Sequence, residues 1–127
     1  MINKLTITAA VVCYMLLLTV GSLSDLTEVP KLSTEFQDKI IHFIAYALLC
    51  FVLFLMFKSY KTRKTLKYSI LVSIVFGTVI ELLQANFTSY RAFDIFDIIA
   101  NVAGILITAK LIAFNKTLII KKLETFM

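Results

Sequence analysis

The chain has 127 residues, 60% of them hydrophobic and 17% charged, with a formal net charge of +5. Soluble domains run at about 45–50% apolar and about 25% charged residues, and one this small buries only about two-thirds of its unfolded surface, so the apolar surplus excludes a single soluble core. Three glycines and one proline are too little turn material for a β-barrel or for several linked domains, and the chain reads as one all-α membrane domain over residues 1–127.

The first apolar run, Leu5–Leu23, predicts a membrane helix over 5–23. Its competitor is a signal peptide, with Lys4 as the charged region and Gly21-Ser22 as the exit. No A-x-A-like site follows, and the run is longer than a signal's apolar core. The second run is Ile40–Phe57; Thr34-x-x-Gln37 fits a capping box that starts the helix near Glu35, giving 35–57. Tyr68–Phe87 and Ile95–Phe114 predict helices over 67–87 and 94–114. Each run has about 18–20 residues, which at ~1.5 Å per residue crosses a hydrocarbon core of ~30 Å. Strands are excluded because a lone strand in lipid leaves its backbone unpaired and no alternating pattern is present. Beyond the fourth run, Leu118–Met127 mixes apolar residues with Lys121, Lys122 and Glu124 and reads as a short amphipathic tail on the inner surface. Cys13 and Cys50 sit inside apolar runs and read as small buried hydrophobes.

Charge gives the four predicted spans an orientation. Between runs two and three lie Lys58, Lys61, Arg63, Lys64 and Lys67 with no acid, and the C-terminal segment adds Lys116, Lys121 and Lys122 against Glu124. Ser24–Asp38 holds Asp25, Glu28, Glu35 and Asp38 against Lys31. Positive segments stay cytoplasmic, so both termini are expected inside, and Ser24–Asp38 and Asn86–Phe93 outside. The basic residues flank spans instead of forming a stripe, so they read as a topology signal and nucleic acid is not an expected partner.

The residues a membrane helix should avoid carry the functional information. They are Asp38, Lys39 and His42 on helix two, Glu81 and Gln84 on helix three, Arg91 in the outer loop, and Asp94, Asp97 and Asn101 opening helix four. A charge at a helix centre costs about 2.5–3.5 kcal/mol on translocon scales, so such groups face the bundle and find partners. At ~100° per residue, Asp94, Asp97, Asn101 and Gly104 fall within an arc of roughly 80°. Gly77, Glu81 and Gln84 make a similar stripe on helix three, and Asp38, His42 and Ala45 on helix two. The glycines and the alanine let backbones approach closely there. With both termini inside, all three stripes reach the same outer level.

Such a cluster supports three readings. It is a hydrogen-bonded lock between helices, or a ligand site in which Arg91 and Lys39 receive a lipid phosphate, or an acid/base centre. In the last, His42 works with one of Glu81, Asp94 or Asp97. Burial disfavours charged forms unless they pair, so one proton can move within such a cluster. No cofactor and no metal are expected, since no metal-spacing, Walker, HExxH or Gly-x-Ser-x-Gly pattern occurs.

Asp38-Lys39-x-x-His42-Phe43-x-x-Tyr46, Gly77-x-x-x-Glu81-x-x-Gln84 and Arg91-x-Phe93-Asp94-x-x-Asp97-x-x-x-Asn101-x-x-Gly104 resemble the VanZ-like family of bacterial membrane proteins. The resemblance runs from about Asp38 to Ala109. Two departures stand out: the loop Ala85–Tyr90 lacks the Pro or Gly common there, and helix four lacks a second Gly after Gly104. The family takes its name from a protein associated with low-level teicoplanin resistance. The resemblance implies a multi-pass protein of the bacterial cytoplasmic membrane whose outward polar site binds or modifies a lipid-linked envelope component or a surface-acting ligand, with a link to glycopeptide resistance. Its partners are then membrane lipids or lipid-linked envelope precursors. The alternative is a small non-enzymatic subunit of a larger membrane-protein assembly, its polar cluster purely structural.

Overall fold

The structure is a computed structural model that describes residues 3–23, 35–87 and 95–126. It holds five helices among those residues: α1 (Lys4–Leu23), α2 (Glu35–Ser59), α3 (Thr65–Phe87), α4 (Ile95–Phe114) and α5 (Lys116–Phe126). The first four are long and apolar enough to cross a membrane. α2 starts at the expected Glu35, although the capping box itself falls at Thr34, outside the described residues. α2 runs two residues and α3 three residues further into their shared connection than the apolar runs alone indicate.

The packing inverts that of a soluble protein. Leu17, Ile41, Leu71, Phe96 and Leu111 are exposed, whereas Glu81, Gln84, Asp97 and Asn101 are buried. That pattern suits a solvent of acyl chains, in which large apolar side chains need no cover and polar groups must find partners inside. The protein is a multi-span membrane protein.

α2 is the hub. Its buried face, Tyr46, Leu49, Cys50 and Leu53, packs with Val11 of α1 and Ile105 of α4. α2 and α4 form the most extensive interface and run parallel, since Lys39 meets Asp97, His42 meets Asn101 and Phe43 meets Gly104. α3 runs antiparallel to both, with Gly77 against Tyr46 and Asn101. α1 is antiparallel to α2: Thr8 and Tyr60 share a hydroxyl hydrogen bond of 2.8 Å near one end, and the Tyr14 hydroxyl donates to the Ala45 carbonyl at 2.6 Å nearer the other. Cys50 is buried as expected, but Cys13 is exposed, because α1 packs through a narrow face and leaves that side outward.

The end of α2 is closed by its own backbone. Thr62 N–H donates to Phe57 O at 3.1 Å and Lys61 N–H to Lys58 O at 3.0 Å, the paired bonds of a Schellman cap. Lys61 holds the left-handed position with φ 56°, where glycine is usual and a side chain costs about 1 kcal/mol. The C-terminal tail forms α5, in which Leu118 is exposed beside Lys116, Lys121 and Lys122.

Candidate functional site

The polar site lies where α2 and α4 begin and α3 ends. Two glycines make it by removing side chains from the helix contacts. A Cβ on Gly104 would sit 2.2 Å from the Phe43 carbonyl oxygen, so α4 lies directly on the α2 backbone. A Cβ on Gly77 would sit 2.9 Å from the Tyr46 ring and 3.2 Å from Asn101 Nδ2. Close approach at these two points brings polar side chains of α2 and α4 within reach of one another and seats α3 against Tyr46 and Asn101.

Asp97 is the centre of the described part. Lys39 donates to Asp97 Oδ1, and His42 Nε2 stands 4.0 Å from the same oxygen. Asn101 Oδ1 lies 3.2 Å from His42 Nδ1; a carboxamide oxygen accepts, so this contact puts a proton on Nδ1. A second proton, taken up at Nε2, would face the Asp97 carboxylate. The side chains grade outward, with 9% of Asp97, 13% of His42 and 25% of Lys39 exposed. Lys39 and His42 therefore form a reachable rim above a buried carboxylate.

On α3, Glu81 and Gln84 are each 2% exposed. Gln84 Nε2 donates to the Ser22 carbonyl at 2.8 Å, which brings the end of α1 into the network. Among the described residues no buried side-chain N or O lacks a hydrogen-bond partner. Nor do three or more His, Cys, Asp or Glu among them gather as metal ligands would.

Of the nine residues expected at the site, the structure joins Lys39, His42, Asp97 and Asn101 and buries Glu81 and Gln84 on α3. Arg91 and Asp94 lie outside the described residues, and so does the side chain of Asp38. Two features went unread in the sequence. Gln84 and Tyr14 bond to backbone carbonyls, Ser22 and Ala45, which carry no side-chain signal. Ser69 and Ser73, fully buried, continue the Gly77–Glu81 stripe backward at four-residue steps. Small residues at that spacing are a packing signal, and the Ser73 hydroxyl donates to the Ser69 carbonyl one turn back at 2.7 Å.

The sequence matches the profile of the VanZ/LLP1 family over residues 3–118. The chain belongs to the VanZ/LLP1 family. Every site residue named above falls inside the VanZ/LLP1 segment, and that segment takes in α1, which the resemblance from Asp38 onward leaves out. An uncharacterized protein of Schizosaccharomyces pombe is 35% identical over 75 residues, 59% of this chain and 46% of that one. The chain thus spans about half the length of this relative. No solved structure matches this VanZ/LLP1 chain.

Proposed function

We propose that this protein is a binding protein of the bacterial cytoplasmic membrane. Its polar site takes the anionic head group of a lipid-linked envelope component or of a ligand acting at the cell surface. The observation that carries this reading is the graded rim: Lys39 and His42 are partly exposed over the buried Asp97. A network serving packing alone has no need of a reachable lysine. A phosphate arriving at the rim would exchange for Asp97 at Lys39, and His42 could donate to it. Glycopeptide resistance is one form such surface binding would take in bacteria, while the similarity to a yeast protein favours a wider role.

A second reading, a purely structural lock in a small subunit of a larger assembly, draws on the full pairing of buried polar atoms among the described residues. His42→Ala and Glu81→Gln separate the two. In the binding reading both variants accumulate and stay folded, but they lose the lipids that co-purify in gentle detergent, as read by mass spectrometry. Loss of the protein itself with each substitution, or a stoichiometric protein partner and no lipid, supports the structural reading.

The site faces outward if both termini are cytoplasmic, as the five basic residues between Lys58 and Lys67 favour. A Thr62→Cys variant in a Cys13→Ser background should resist a membrane-impermeant maleimide in intact cells and react after permeabilisation. Labelling in intact cells reverses the orientation.

A further inference from the structure

The opposite end of the bundle holds a cavity of about 620 Å³, within the range of about 300–1,000 Å³ usual for small-ligand sites. Three helices and a connection line it, each with its own chemistry, and it opens broadly to the surroundings. The start of α1 brings Lys4, the end of α2 and its cap bring Lys58, Lys61 and Thr62, and α5 brings Ile120 and Leu123. Among the described residues Glu124 is the one acid in the lining, against three lysines.

We infer that this cavity binds a phosphate-bearing group, the head group of an anionic membrane lipid, with Lys4, Lys58 and Lys61 around the phosphate and Ile120 and Leu123 against the glycerol and upper acyl chain. It stands at the end of the apolar spans, the depth at which lipid phosphates lie. The N-terminus of α1 adds the positive end of a helix dipole. The C-terminus of α2 would repel an anion, but its cap already occupies the carbonyls of Phe57 and Lys58 with backbone N–H groups. Lys4 is held over the Tyr60 ring, 5.4 Å from its centroid, and Tyr60 is in turn hydrogen-bonded to Thr8. This lysine is therefore positioned before any ligand arrives.

Lys61 lines the cavity from the left-handed cap position of α2, where glycine would fold more easily; Lys64, outside the lining, takes the same backbone conformation. This site is independent of the polar site at the other end. The leaflet that supplies the lipid follows the proposed orientation, whereas binding does not depend on it.

The test titrates the full chain, purified in a neutral detergent, with dioctanoyl phosphatidylglycerol and with dioctanoyl phosphatidylcholine. Saturable binding of the anionic lipid is expected, weakened about fivefold by Lys58→Gln and similarly by Lys61→Gly. Lys61→Gly should also raise the melting temperature, which separates lost binding from lost folding. A Lys121→Gln/Lys122→Gln variant, changed on α5 away from the cavity lining, should bind as the parent does. Inorganic phosphate that fails to displace the lipid identifies a lipid ligand; displacement at equal concentration identifies free phosphate as the ligand of the same lysines. Equal binding of both lipids overturns the proposal, and so does an equal loss in the α5 variant, which would mark a diffuse basic surface.

Discussion

Gly104→Ala should destabilise the protein by about 3 kcal/mol, the upper end of what overpacking usually costs. The added methyl would stand 2.2 Å from the Phe43 oxygen, 3.0 Å from its carbon and 3.3 Å from Ala47 N. All three are backbone atoms of a helix and cannot rotate aside, so α4 must move away from α2. That movement separates Asp97 and Asn101 from Lys39 and His42, and the polar site is lost with the packing. Gly77→Ala is the informative comparison. Its nearest obstacle is the edge of the Tyr46 ring at 2.9 Å, which can tilt, so a loss of about 1 kcal/mol is expected. Gly21→Ala meets nothing within 4 Å and should stabilise α1 by up to about 1 kcal/mol through helix propensity alone. Denaturant titration in detergent, followed by circular dichroism, should rank the three in that order. A loss at Gly104 no larger than at Gly77 would show that the two helix backbones do not meet there.

These glycines also show what was legible in the sequence. Charges and glycines at helical spacing are side-chain patterns, and they located the stripes through Asp97, Asn101 and Gly104 and through Gly77, Glu81 and Gln84 before any contact was known. The spans were equally legible, because a bilayer asks for length and apolarity and Leu5–Leu23 or Ile95–Phe114 supply both. What could not be read were interactions whose second partner is backbone. Gln84 finds the Ser22 carbonyl and Tyr14 the Ala45 carbonyl, and every residue has a carbonyl. The role of α1 was hidden for this reason, its side chains being apolar on nearly all sides. The cap at Lys61 was hidden by the opposite cause: the usual glycine signal is missing because a lysine stands in its place.

The Lys39–Asp97 pair is where the two readings of the polar site make different forecasts. Removing one partner of a buried ion pair typically costs about 3–5 kcal/mol, because the other charge is left uncompensated. Here a quarter of the Lys39 side chain is exposed, so it can extend toward water and recover part of that loss. Asp97→Leu should therefore cost about 2 kcal/mol, with the His42 contact at 4.0 Å lost as well. Lys39→Met leaves the carboxylate, 9% exposed, without its cation and should cost no less. The double variant replaces the pair by two apolar side chains, and its loss should fall short of the sum by about 1 kcal/mol or more. An Asp97→Leu midpoint equal to that of the parent would show that the pair contributes nothing to the fold. Stability alone, though, does not choose between a lock and a site. A lock needs only to hold α2 against α4, so a double variant that regains stability should regain whatever the protein does. A head-group site needs the cation at its rim, so the same variant should stay folded and still lose co-purifying lipid. A stable double variant that keeps its full lipid complement would take Lys39 out of the site and leave the polar cluster as packing.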